Sequence, residues 1–100
     1  MEKTDVIMGL IVNGGNARSL AMKAIYAAKR KEYEEAEKLL TECNEFLVKA
    51  HHAQTELLTK EAGGEKTDIT LLLIHAQDHL MNAMTVKDMA IEFVELYKSK

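Results

Sequence analysis

Residues 71–81 form an apolar run that ends in polar groups, and they read Leu71-Leu72-Leu73-Ile74-His75-Ala76-Gln77-Asp78-His79-Leu80-Met81. In a helix, His75, Asp78 and His79 stand three and four residues apart, which places them on one side of the rod. Burying a carboxylate and two imidazoles among leucines costs free energy unless each finds a partner. The run therefore predicts a helix that presents polar groups at an interface or a functional site.

Hydrophobic periodicity predicts three helices, over about residues 5–29, 31–62 and 67–97. The expected N-caps have side-chain oxygens that accept backbone N–H groups: Thr4 or Asp5 for the first helix, Thr67 or Asp68 for the third. Gly63-Gly64 is expected to end the second helix. Short connections make neighbouring helices antiparallel, so the predicted fold is all-α, an up-down-up three-helix bundle.

The third helix is too apolar for one such bundle. Its first residues, Ile69 and Leu71 to Ile74, point in nearly every direction around the axis. A helix that is apolar all round is usually buried on more than one side, and an exposed apolar patch generally marks an interface. We therefore expect a homo-oligomer with the third helix at its centre.

Two glycines, Gly14-Gly15, lie inside the first helical pattern. Each costs about 1 kcal/mol relative to alanine in a helix. They predict a kink or a close helix crossing. Alternatively, the missing side chains let a partner or a phosphoryl group approach the backbone.

The composition bounds the class of protein. The 100 residues suffice for one domain, 1–100, and 13 basic against 16 acidic residues give a net charge of -3 with no basic stripe for nucleic acid. No stretch approaches the roughly 18 apolar residues that span a bilayer. The polar start, Met1–Asp5, is unlike a secretory signal peptide. The single cysteine, Cys43, fits a reducing compartment and is expected to pack in the core. We expect a soluble, cytoplasmic protein.

His75 is the leading candidate for chemistry. A neutral imidazole is a good nucleophile near neutral pH and can accept a phosphoryl group, with His79 and Gln77 as possible local helpers. From the residues alone, a histidine on such a helix is more often a packed core or interface histidine. The His-x-x-x-His spacing also suits zinc, with Asp78 as a third ligand, although Ala76 excludes a His-Glu-x-x-His hydrolase.

Asp78 read alone is a solvated charge or half of a salt bridge. If the third helix lines a threefold axis, three copies of Asp78 converge and repel unless a cation lies between them. All-oxygen ligation suits a hard cation such as magnesium.

Other polar residues are less specific. His51 and His52 are expected to serve surface or packing roles, because adjacent helical residues cannot face one site. Arg18, in a polar patch with Asn16 and Ser19, can meet a phosphate or form an ordinary surface salt bridge.

The octet Ile74–Met81 closely resembles the active-site segment of the IIA component of the bacterial sugar phosphotransferase system (PTS), lactose/cellobiose/chitobiose class. Gly15–Ser19 looks like the first-helix motif of that family and Ala50–Leu57 like its second-helix motif. The resemblance implies a homotrimer of nine helices, with His75 as the phosphorylated histidine and His79 near the phosphoryl group. It also implies one structural axial metal per trimer, a divalent cation such as magnesium, on Asp78.

The resemblance further implies the partners. The general carrier protein HPr would donate the phosphoryl group, and a cysteine of the cognate IIB component would accept it, without ATP. The sugar, a β-linked disaccharide, would be phosphorylated by the membrane component. From the residues alone, a non-enzymatic helical interaction module and a metal-binding helical bundle stay open as alternatives.

Overall fold

The computed structural model describes residues 3–100, and these contain three α-helices and no strand: α1 spans Lys3–Lys29, α2 Tyr33–Ala62 and α3 Leu71–Lys98. They form a rod with extents of 52 × 20 × 19 Å. The predicted all-α three-helix bundle is confirmed. Met1 and Glu2, which belong to the polar start that argued against a signal peptide, lie outside the described residues.

α1 and α3 run in the same direction, and α2 runs antiparallel to both. The Gln54 amide of α2 donates to the Gln77 side-chain oxygen of α3 at 2.6 Å, and the Tyr33 hydroxyl donates to the backbone oxygen of Tyr97 at 3.0 Å. α1 packs extensively against both other helices, whereas α2 and α3 contact each other much less. α1 is thus the centre of the bundle, and open grooves remain between helices.

The core consists largely of small residues, which lets the helices approach closely. Fully buried alanines lie in all three helices: Ala17, Ala21, Ala24, Ala36, Ala50, Ala76, Ala83 and Ala90. The largest fully buried side chains are Leu10, Leu80, Val94 and Cys43. The packed position predicted for Cys43 is confirmed. Burial raises the pKa of its thiol, and the nearby Lys87 ammonium opposes this by a smaller amount.

The N-cap predicted for the third helix at Thr67 or Asp68 is wrong. Thr70 is the N-cap, with an extended backbone and a side-chain oxygen that accepts from the backbone N–H of Leu73 at 3.1 Å. Ile69 precedes the first helical residue, Leu71, so it is not part of the surface of α3 itself. Thr70 satisfies a backbone donor of the first turn, as capping requires.

The predicted starts of the other helices also need correction. α1 contains both Thr4 and Asp5, so neither is its N-cap. α2 begins at Tyr33 rather than Lys31, because Lys31 has a left-handed φ of 64°. The N–H groups of Lys31 and Glu32 bond back to carbonyls of α1 at 2.9 Å, which closes α1 instead of opening α2. The predicted stop at Gly63-Gly64 is confirmed, with Gly64 at φ 100°.

Gly14 marks a close crossing of α1 and α3. A Cβ atom on Gly14 would lie 3.3 Å from the carbonyl carbon of His79 and 3.4 Å from the backbone nitrogen of Leu80. A Cβ atom on Gly15 would meet nothing within 4 Å. The crossing predicted from the glycine pair therefore depends on Gly14 alone, and it lies beside the histidines of α3.

The two glycines make a matched pair for mutagenesis. Gly15→Ala should raise the free energy of unfolding by about 1 kcal/mol, because alanine favours helix and fits the open space. Gly14→Ala should lose that gain or destabilise the fold, because its Cβ presses on the backbone of α3. Urea unfolding of both variants at one protein concentration measures the difference. Equal stabilisation by both substitutions would contradict the close crossing.

Candidate active site at the histidine pair of the third helix

The two histidines of α3 are in direct contact. The Nε2 atoms of His75 and His79 lie 3.0 Å apart, with ring centroids separated by 4.4 Å and planes inclined by 84°. Such a contact is a hydrogen bond when one Nε2 carries a proton and the other presents its lone pair. With the proton on His79, the Nε2 lone pair of His75 accepts this hydrogen bond and becomes available for reaction when the bond opens. His75 is exposed and His79 half-buried, so His75 is the ring that an incoming reactant can reach.

The pair opens into a cavity of about 490 Å³ between α1 and α3, and its polar lining comprises Arg18, His75, Asp78, His79, Asn82 and Thr85. The structure thus brings three of the predicted site residues, His75, His79 and Asp78, to one place. Asn82 and Thr85 were not predicted as site residues. Their spacing of four and seven residues from Asp78 could have signalled that they share its side of the helix.

Gln77, the fourth predicted site residue, faces a different side of α3. Its side chain is half-buried, bonds to Gln54 of α2 and lines a different cavity, near Leu57 and Leu73. Within one chain Gln77 therefore does not help His75 directly. His51 and His52 are exposed and line a groove between α2 and α3, which agrees with the surface role expected of them.

The outward face of α3 is apolar except at a few positions. Leu71, Ile74, Met81 and Met89 are all exposed on the side turned away from α1 and α2. Asp78 lies among them, four residues after Ile74 and three before Met81, so all three share one face. We call Leu71, Ile74, Asp78 and Met81 the outer stripe. It is an apolar surface of the kind that marks an interface.

Metal binding by one chain is not supported. Among residues 3–100, no group of three or more His, Cys, Asp or Glu side chains is placed to hold a metal ion. The zinc site considered for His75, Asp78 and His79 is therefore not supported within a chain. A single Asp78 carboxylate offers oxygen ligands of the type that magnesium prefers, but one chain supplies only one such side chain on the outer stripe.

None of the three helices described in residues 3–100 has the length and apolar character of a membrane span.

The bond between Gln54 and Gln77 should stabilise the contact of α2 with α3. In a double-mutant cycle of Gln54→Ala and Gln77→Ala, we expect a coupling free energy of about 0.5–1.5 kcal/mol, the usual net value of a hydrogen bond. Urea unfolding of the wild type, both single variants and the double variant measures it. Strict additivity would mean that the two amides do not interact in solution.

Comparison with known proteins places this geometry in a family. A family model described as PTS system, lactose/cellobiose specific IIA subunit, matches residues 5–98. The lichenan-specific phosphotransferase enzyme IIA component of Bacillus subtilis (strain 168) is 62% identical over 97 residues, which cover 97% of this chain and 88% of that protein.

Solved structures agree with the sequence comparison. The crystal structure of the PTS cellobiose-specific enzyme IIA from Bacillus anthracis has a TM-score of 0.94 at 52% identity, covering 99% of this chain and 92% of that one. The IIA(chitobiose) protein of the Escherichia coli phosphotransferase system, solved in solution as a complex with HPr, has a TM-score of 0.85 at 38% identity. That alignment covers 99% of this chain and 96% of the other.

Proposed function

The chain belongs to the lactose/cellobiose-specific IIA family of the phosphotransferase system, and we propose that it carries its phosphoryl group on His75. HPr donates the group and the cognate IIB component accepts it. The observation that carries this proposal is the exposed imidazole of His75, held at 3.0 Å by His79 at the mouth of a cavity. Family membership favours this function over a helical interaction module or a metal-binding bundle.

The geometry suits transfer between two nitrogen atoms. The Nε2 lone pair of His75 attacks the phosphorus of phosphorylated HPr in line, and the electron pair of the breaking P–N bond leaves with the imidazole of HPr. Before the reaction His79 orients the ring by donating its Nε2–H to that lone pair, and this hydrogen bond breaks before the lone pair attacks. Once the new P–N bond forms, the same N–H is free to donate to a phosphoryl oxygen. In the second transfer a cysteine thiolate of the IIB component attacks, and His75 leaves with its electron pair.

Gln77 acts in this scheme across a subunit boundary. At about 100° per residue, His75 lies about 60° to one side of Asp78 on the helix, and Gln77 lies about 100° to the other side. In a threefold assembly around the outer stripe, the His75 side of one α3 faces the Gln77 side of its neighbour. The amide of Gln77 then reaches the phosphoryl group of the adjacent subunit, while its oxygen accepts from Gln54.

The outer stripe supports a homotrimer of nine helices. Leu71, Ile74 and Met81 are exposed in one chain and would be buried against two copies of themselves. Three Asp78 carboxylates would meet at the axis, where like charges repel unless a cation neutralises them. We assign that role to one magnesium ion per trimer, held for structure rather than for transfer.

Family membership supports a proposal for the setting as well. The protein works in the cytoplasm, consistent with a free buried thiol at Cys43, and needs no ATP because phosphorylated HPr supplies the group. It serves uptake of a β-linked disaccharide, which the membrane component of the system phosphorylates. The protein itself requires only a docking surface and a nucleophile.

Variants of the histidines test the acceptor. His75→Gln should abolish phosphate uptake from phosphorylated HPr, because glutamine lacks a nucleophilic ring nitrogen and His79 acts only as the helper. His79→Gln should slow uptake by about 10-fold without abolishing it, because His79 contributes one orienting hydrogen bond, worth roughly 1 kcal/mol. Phosphate content by mass spectrometry against time measures both. His51→Gln, an exposed histidine outside the cavity, is the control and should behave as wild type. Full labelling of His75→Gln would refute the assignment.

Variants of Asp78 test the assembly. Asp78→Leu should remain trimeric and lose any sensitivity to chelators, because a buried charge cluster can be replaced by apolar residues at little cost. Asp78→Lys should break the trimer or unfold the chain by bringing three positive charges together. Sedimentation of wild type and both variants, with and without EDTA, measures this. A trimeric Asp78→Lys variant as stable as wild type would show that Asp78 is not on the axis.

A further inference from the structure

Arg18 is a charged side chain without an evident structural task. Among residues 3–100 no hydrogen bond or ion pair holds its guanidinium, although it lines the same cavity as Asp78. The other arginine, Arg30, is paired with Glu32. Arg18 is exposed, so its charge is hydrated rather than buried. It stands on α1, whereas both histidines stand on α3.

The crossing of α1 and α3 at Gly14 directs the Arg18 side chain towards the histidine pair. Arg18 follows Gly14 by one turn, so both lie on the face of α1 that meets α3. Helical side chains lean towards the N-terminus of their helix, so Arg18 leans back to the level of Gly14, where α3 presents His79. Because α1 and α3 run in the same direction, Asn82 leans the same way, towards His79 and His75.

We propose that Arg18 and Asn82 form an anion subsite that binds the oxygens of the phosphoryl group on His75. This inference rests on the function proposed above. A guanidinium offers planar paired N–H donors that match two phosphate oxygens, and the amide of Asn82 adds a third donor. His79 and Arg18 then approach the group from two helices. Inorganic phosphate, with the same oxygens and charge, is the simplest free ligand for the subsite.

The subsite stabilises the phosphorylated state itself. A phosphoryl group brings nearly two negative charges into the cavity that Arg18 lines. The Arg18 charge attracts that group, and this attraction exists only in the phosphorylated state. Arg18 therefore shifts the distribution of phosphate between HPr and this protein. A residue that served only to dock HPr would change the rate of exchange and leave that distribution unaltered.

The test measures the distribution at equilibrium in a mixture of the full-length protein and HPr, phosphorylated to a fixed total. We expect Arg18→Gln to lower the ratio of phosphorylated to free protein by about 10-fold, and Arg18→Lys to lower it less, because lysine keeps the charge without the paired donors. Lys23→Gln, an exposed residue of α1 outside the cavity, is the matched control and should leave the ratio unchanged. Circular dichroism and sedimentation check that each variant keeps its fold.

A second readout is the ³¹P chemical shift of the phosphohistidine, which should move in Arg18→Gln and not in Lys23→Gln. A wild-type ratio and a wild-type shift in a folded Arg18→Gln variant would overturn the subsite while leaving His75 as the acceptor. If Arg18→Gln misfolds, Arg18→Lys and Asn82→Leu decide by the same two readouts, and wild-type values in both would overturn it. Phosphate uptake by His75→Gln would instead remove the proposed function on which the subsite rests.

Discussion

The close approach of α1 to α3 at Gly14 is the constraint on which the rest of the site depends. With no side chain at Gly14, the backbone of α1 lies against the backbone of His79 and Leu80. The buried alanines further along both helices keep the two rods close. This contact fixes the level at which α1 meets the histidines. It thereby places the Arg18 side chain in the cavity that opens beside His75.

The outer stripe imposes a second constraint. One chain leaves Leu71 83% exposed and Ile74 54% exposed, and it sets the Asp78 carboxylate among such residues. Hydration stabilises the carboxylate, whereas burial at an interface would stabilise the apolar residues. A single chain exposes both and therefore leaves the apolar residues unburied. In the proposed trimer, the apolar residues would be buried and a cation at the axis would neutralise the carboxylates. The same assembly gives Gln77 a role. It faces away from His75 of its own chain but would lie near His75 of the adjacent subunit.

Much of the fold could be predicted from the sequence, because hydrophobic periodicity reports directly which face of each helix is buried. The first residues of the helices were harder to predict from the sequence. Thr67, Asp68 and Thr70 are all plausible caps, and only the geometry selects Thr70, whose oxygen accepts the Leu73 N–H. Lys31 takes a left-handed conformation that glycine usually adopts, so the presence of a lysine there did not predict the end of α1. The spacing of His75 and His79 predicted their contact, since residues four apart in a helix are neighbours. The placement of Arg18 depends on the depth of a helix crossing, which no local pattern encodes.

Localisation of the phosphate in the wild-type protein decides whether His75 is the acceptor. The chain has four histidines, at positions 51, 52, 75 and 79. After incubation with phosphorylated HPr, fragmentation mass spectrometry under conditions that preserve phosphohistidine can assign the modified residue. We predict one phosphoryl group per chain, on His75. Phosphate on His51, His52 or His79 while His75 stays unmodified would contradict it.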